Sequence, residues 1–228
     1  MTLKKVFIGV GHGGADSGAI AHDKQLEKDL NLSIAKACGA YLTARGVQVQ
    51  YSRTTDQDDP VAQEVAECNA FAPDLAVAVH NNAGGGDGAE AFHSMARGNG
   101  KTLAVNILAE IAKLGQRSRG AKIRTNSAGR DYYAFIRDTR APAVIVECAF
   151  VDSADLAIID TETERVRMGE AIARGILATL GIDEKAEKSP DTASKLYRVQ
   201  TGAFRDIRRA EAEVERLARL GVTAIITT

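Results

Sequence analysis

Short apolar runs rich in β-branched residues recur at Val6–Val10, Val47–Tyr51, Leu75–Val79 and Ala143–Val146. Each is long enough for one buried strand and too short for a buried helix. Between them the apolar positions take helical spacing. The clearest helix is predicted from about Gln25 to Arg45, where Leu30, Ile34, Ala37 and Tyr41 form one stripe and Gly46 supplies a stop. Further helices are predicted over about Lys101–Leu114 and Glu162–Leu180, the second ending before Gly181, with a weaker one over Val61–Phe71 ahead of Pro73. Strands alternating with helices indicate an α/β sheet with helices on its faces.

The pattern changes after Ile182. The stretch DEKAEKSPDTAS, Asp183 to Ser194, loses nearly all large apolar residues and reads as a linker. LYRVQTGAF then gives a strand and a turn, Ile207, Ala210, Val214 and Leu217 mark one helical face, Gly221 stops it, and VTAII gives a second strand. The expected division is a main domain over 1–181, a linker over 182–194 and a small βαβ appendage over 195–228. So short an appendage buries little core by itself.

Composition narrows the function. The 228 residues are 45% hydrophobic and 26% charged, with a formal net charge of -1, which gives no electrostatic footprint for nucleic acid or an anionic membrane. No apolar run approaches the ~18 residues of a membrane span, and no secretory signal is visible at the N-terminus. Cys38, Cys68 and Cys148 are odd in number and lack C-x-x-C spacing, so they read as buried free thiols.

Candidate chemistry begins at GVGHGG, Gly9 to Gly14, which matches the dinucleotide pattern G-x-G-x-x-G. A nucleotide fold would start its helix inside that loop and end its second strand on an acidic residue, whereas here a long polar loop follows and the second strand ends Tyr51-Ser52-Arg53. The histidine gives a better account. His12 lies just past the first strand, at the carboxyl edge where open α/β sheets collect ligands, and LAVAVH places His80 at the end of another strand. A hydrolytic zinc site takes three ligands from His and Asp/Glu. Glu27, in the first turn of the first helix, is a third candidate, with His22, Asp16 and Asp29 as competitors. Glu147 follows the apolar run in APAVIVECAF, where a carboxylate needs a partner and, beside a metal-activated water, acts as general base and then acid.

These segments resemble the zinc-dependent N-acetylmuramoyl-L-alanine amidases, which cut glycan from peptide in bacterial cell wall. GHGGADSGA is similar to the family's first metal-histidine segment, EKDLNLSIA to its glutamate helix, VHNNA to its second histidine segment and PAVIVECAFVDSADL to its catalytic-glutamate stretch, in family order across roughly residues 5–180. The resemblance implies an α/β fold with a mixed, mostly parallel twisted sheet and helices on both faces. It implies one Zn²⁺ on His12, Glu27 and His80, with Glu147 as catalytic base and acid. The tail resembles the first half of a SPOR (sporulation-related repeat) domain, which binds peptidoglycan glycan.

Two positions depart from the family pattern. Glu64 stands where an arginine is usual, and Ala149-Phe150 replaces a Gly-Phe pair. His93, alternating with strand residues, is expected to be structural. Two other functions fit less well: a cysteine-nucleophile hydrolase using Cys148 with His12 or His80, and a non-catalytic wall-binding protein. The expected partner is peptidoglycan, met by a monomer at the bacterial wall, and the missing signal suggests release by lysis, as for a phage endolysin or a mother-cell autolysin.

Overall fold

In the computed structural model, which describes residues 3–96, 98–183 and 206–219, the apolar runs become a six-stranded sheet in the order β2-β1-β3-β6-β4-β5. The strands are β1 (Lys5–Val10), β2 (Gln48–Tyr51), β3 (Leu75–Asn82), β4 (Ala89–His93), β5 (Ser118–Lys122) and β6 (Ala143–Phe150). Every neighbouring pair is parallel except β4 with β6, so the sheet is mixed and mostly parallel as expected. The apolar runs predicted β1, β2, β3 and β6. β4 and β5, with Glu90, His93, Arg119 and Lys122 among ten residues, carry too much polarity to stand out as apolar runs.

Strand alternation divides the core in two. Val6, Ile8 and Val10 of β1, Val77 and Val79 of β3, and Val144, Val146 and Cys148 of β6 face a large cluster. It is shared with α1 (Glu27–Ala44), α3 (Gly100–Ala112) and α5 (Glu162–Leu180). Phe7, Ala76, Ala78, Ala143 and Ile145 face the opposite side, where α2 (Val61–Phe71) and the short α4 (Ala134–Asp138) supply Cys68, Phe135 and Ile136. Helices therefore cover both faces. This alternation puts residues 80 and 147 on the second face and Cys148 on the first.

α1 starts at Glu27 and buries Leu30, Ile34, Cys38 and Leu42. The predicted stripe is thus rotated, with Ala37 and Tyr41 at its half-buried margin, because α5 packs along α1 and widens the apolar contact. Burying each such Leu or Ile contributes about 1.5–3 kcal/mol. α5 spans the predicted range. Its capping box pairs Thr161 with Glu164, and Gly181 ends it in the left-handed conformation at φ 67°.

The link between β3 and β4 crosses the end of β6. Gly84 and Gly85 donate their N–H groups to Asp152, while Gly88 and Phe150 donate to Asp155 Oδ2, each at 2.9 Å. The 3₁₀ turn Ala154–Ile158 carries Asp155.

The chain forms two compact units, Met1–Lys188 and Ser189–Thr228. In the second, α6 (Ile207–Arg219) forms where the helical face was predicted. The two strands expected beside it lie outside the described residues. Among the described residues no helix is long and apolar enough to cross a membrane.

Candidate active site

His12 leaves β1 two residues past its end, at φ 62°, a left-handed conformation uncommon for a residue with a Cβ. Such strain persists where the surroundings hold it, and here they fix both sides of the ring. Nδ1 lies 2.8 Å from Asp16 Oδ2, and Nε2 lies 3.2 Å from Glu27 Oε2. Asp16 thus orients His12 and is no rival ligand.

Glu27, 4% exposed, projects from the first turn of α1 back over the strand ends. Its Oε2 accepts from the Ala19 N–H at 2.9 Å, and its Oε1 accepts from the Asn81 N–H at 3.1 Å and from Asn31 Nδ2 at 3.2 Å. His80, on β3, brings Nδ1 to 3.3 Å from Oε1. One donor atom from each of His12, Glu27 and His80 lies within 4.8 Å of the others. His22 and Asp29 are exposed and outside this set.

Charge at the centre is strongly coupled. Glu27's hydrogen bond is the chief cause that pushes His12 up to about 9, with Asp16 adding to it against the cost of burial. Burial opposes a charged His80, but Glu27 and Glu147 outweigh it and raise its pKa. Burial would also raise Glu27, yet both imidazoles and the Ala19 N–H hold it well below the usual carboxylate range. Protons on the imidazoles supply beside Glu27 the positive charge that a metal ion held by the two nitrogens and the carboxylate would bring. The donor set suits zinc, and an imidazole held on its far nitrogen by a carboxylate is the usual supporting arrangement.

Glu147 is the direct partner of His80 across the parallel β3–β6 pairing, and the two side chains leave the same face. Burial, against the pull of His80, pushes its carboxyl up to about 6, the range in which a general base and acid exchanges protons near neutrality. Cys148, the next residue, points into the α1/α5 core. It is fully buried and its thiol is pushed well above the usual range, so it cannot serve as nucleophile with either histidine.

The glycines of GVGHGG serve close packing. A Cβ on Gly11 would lie 2.3 Å from His80 Cε1, and one on Gly9 would lie 2.0 Å from Glu64 Oε1. Glu64 is thus turned onto the sheet beside the site. Its carboxyl has no hydrogen-bond partner among the described residues, and burial, reinforced by Asp59, pushes it up to about 8. No arginine-type ion pair forms there. Ala149 has no positive φ and is buried. His93 is buried, with Nδ1 2.8 Å from the Ser94 carbonyl oxygen, as a structural residue.

Two supporting residues escaped the sequence reading. Arg53, 2% exposed, donates to the carbonyls of Val10, Gly11 and Lys28 and ties together the loop that presents His12. Asn31 donates to the Gly11 carbonyl and to Glu27. Asn31 could have been found: one turn past Glu27, it is a polar residue on the face of α1 that turns inward.

Residues 6–178 match the N-acetylmuramoyl-L-alanine amidase family. The N-acetylmuramoyl-L-alanine amidase CwlM of Bacillus licheniformis is 32% identical over 231 residues, covering 98% of this chain and 85% of that protein. The endolysin of Bacillus phage SPP1 is 34% identical over 193 residues, covering 80% and 68%. Among solved structures, Cwp6 from Clostridium difficile superposes with a TM-score of 0.77 at 36% identity, covering 78% of this chain and 30% of that one. Sequence, fold and converging side chains agree: the chain belongs to the N-acetylmuramoyl-L-alanine amidase family.

Proposed function

We propose that this amidase hydrolyses the amide joining N-acetylmuramic acid to L-alanine in peptidoglycan, with Zn²⁺ held by His12, Glu27 and His80 and with Glu147 as base and acid. The observation that carries the reading is the convergence of those three donors within 4.8 Å, with Glu147 directly across from His80. A bound zinc ion supplies Lewis acidity toward the attacking water and the scissile carbonyl. Asp16 keeps His12 Nδ1 protonated, leaving Nε2 for the metal. Glu147 takes a proton from water as its oxygen bonds to the lactyl carbonyl carbon. The same carboxyl returns that proton to the alanine nitrogen as the C–N bond breaks, leaving a muramic carboxylic acid and a free peptide amine. The place of action is the bacterial cell wall.

Zinc-loaded protein incubated with muramoyl peptides should release the intact stem, identified by mass. Chelation should abolish release and zinc should restore it, while thiol alkylation of the folded protein should leave it unchanged. Retention of activity after exhaustive chelation would sink the metal assignment. Binding to peptidoglycan without release would favour the non-catalytic reading.

A further inference from the structure

The face bearing His80 and Glu147 continues onto the edge of the sheet. Glu90 of β4 is the direct antiparallel partner of Glu147, so their Cβ atoms stand about 4.5–5.5 Å apart on one face. Glu90 is 5% exposed and carries two cations. Its Oε2 accepts from Arg119 Nε at 2.5 Å and from Lys122 Nζ, and its Oε1 accepts from Asn82 Nδ2 at 3.3 Å. Arg119 is further fixed by an Nη1 bond to the Asp87 carbonyl oxygen and by its guanidinium, 5.0 Å from the Phe150 ring centroid.

One carboxylate needs only one cation. The second cation is unmatched by Glu90 and stands beside the proposed general base, on side chains about one-third exposed, at 32% for Arg119 and 36% for Lys122. Arg119 Nη2 and the remaining Lys122 donors have no partner among the described residues. Two part-exposed cationic donors seated on one buried carboxylate suit a carboxylate brought by a ligand.

We infer that Arg119 and Lys122, seated on Glu90, form a subsite for a free carboxylate carried by the leaving peptide next to the scissile bond. This rests on the amidase reading above. In peptidoglycan stems the residue after L-alanine is a glutamate linked through its side chain, and its α-carboxylate is either free or amidated. The subsite makes this enzyme discriminate between the two, with Arg119 and Lys122 as specificity-determining residues and Glu90 as their positioning residue.

The test uses two N-acetylmuramoyl tetrapeptides that differ only in whether that group is carboxylate or amide, with zinc-loaded wild type, Arg119→Gln, Lys122→Gln and Lys122→Arg. The wild type should favour the free carboxylate by about tenfold in kcat/KM, mainly through KM, as one charge-assisted contact gives. Arg119→Gln and Lys122→Gln should bring that ratio toward one, and Lys122→Arg should keep most of it. Should Arg119→Gln not fold, Lys122→Gln carries the comparison alone. A wild type that cuts both substrates equally, or Gln variants that slow both alike, overturns the subsite and leaves the cations as braces for Glu90. Cleavage of neither substrate by the wild type removes the amidase reading, and the subsite with it.

Discussion

His80 and Glu147 face each other directly across the parallel β3–β6 pairing, so one ladder fixes the spacing between a proposed metal ligand and the proposed general base. Neither side chain needs a loop to find the other. Replacing Glu147 with Gln keeps the shape and removes the base. Turnover is expected to fall about 10²–10⁴-fold, with zinc content by atomic absorption close to wild type. Loss of zinc together with turnover would instead make Glu147 a fourth ligand.

The acid side of the pH profile follows from the same carboxyl. Burial raises it to about 6 in the metal-free chain, so its basic form is lost as pH falls through that value. A bound cation draws it lower. kcat/KM is therefore expected to decline at or below about pH 6, and Glu147→Gln should flatten that limb; an unchanged limb in the variant would assign it to another group.

Asp16 touches no substrate in this scheme and acts through His12. Asp16→Ala should weaken zinc binding by about 10–100-fold, read by competition with a chromophoric chelator. Activity should return when zinc is in excess. If excess zinc restores nothing, Asp16 has a more direct part in the reaction.

Gly11 and the His80 ring occupy one space. In Gly11→Ala the new Cβ falls 2.3 Å from His80 Cε1, and the backbone there cannot retreat because Arg53 and Asn31 hold the Gly11 carbonyl. The ring must move. Zinc affinity should drop sharply, with a stability cost of about 1–3 kcal/mol. Thermal unfolding and metal titration on one sample separate the two effects.

Glu64 makes a prediction with the opposite sense in pH. Its folded value of about 8 lies above its ordinary 4.5, so its contribution to stability is fully present below the ordinary value and is lost as pH rises through the folded one. Glu64→Gln should match wild type near pH 4.5. By about pH 8–9 it should be more stable, by on the order of 1–4 kcal/mol. Unfolding of metal-free protein at several pH values tests this; parallel curves for the two proteins would show that Glu64 is not neutral in the fold.

Much of this site can be read from sequence because it sits where periodic segments end. His12 and His80 follow apolar runs, Glu27 opens a helix, and Glu147 interrupts a buried strand, so local pattern and chemistry coincide. β4 shows in sequence only as the alternation around His93, and β5, SRGAK, has no apolar run to mark it. The pairing of Glu90 with Glu147 depends on where β6 inserts, and no local pattern encodes a partner more than fifty residues away. Arg53 was missed for a related reason: a buried arginine is recognised by the carbonyls it collects, and those come from three separate positions.

β6 is the last in sequence of this sheet's six strands, yet it lies inside the sheet, between β3 and β4. β6 is the sole ladder between β2-β1-β3 and β4-β5 among the described residues. The strand that joins these halves is also the one that delivers Glu147. The strands that present His12 and His80 pair with each other without β6, whereas Glu147 reaches them only through it. Closure of the sheet and placement of the proposed base thus rest on one strand, so a change that loosens β6 removes Glu147 and the link between the two halves together.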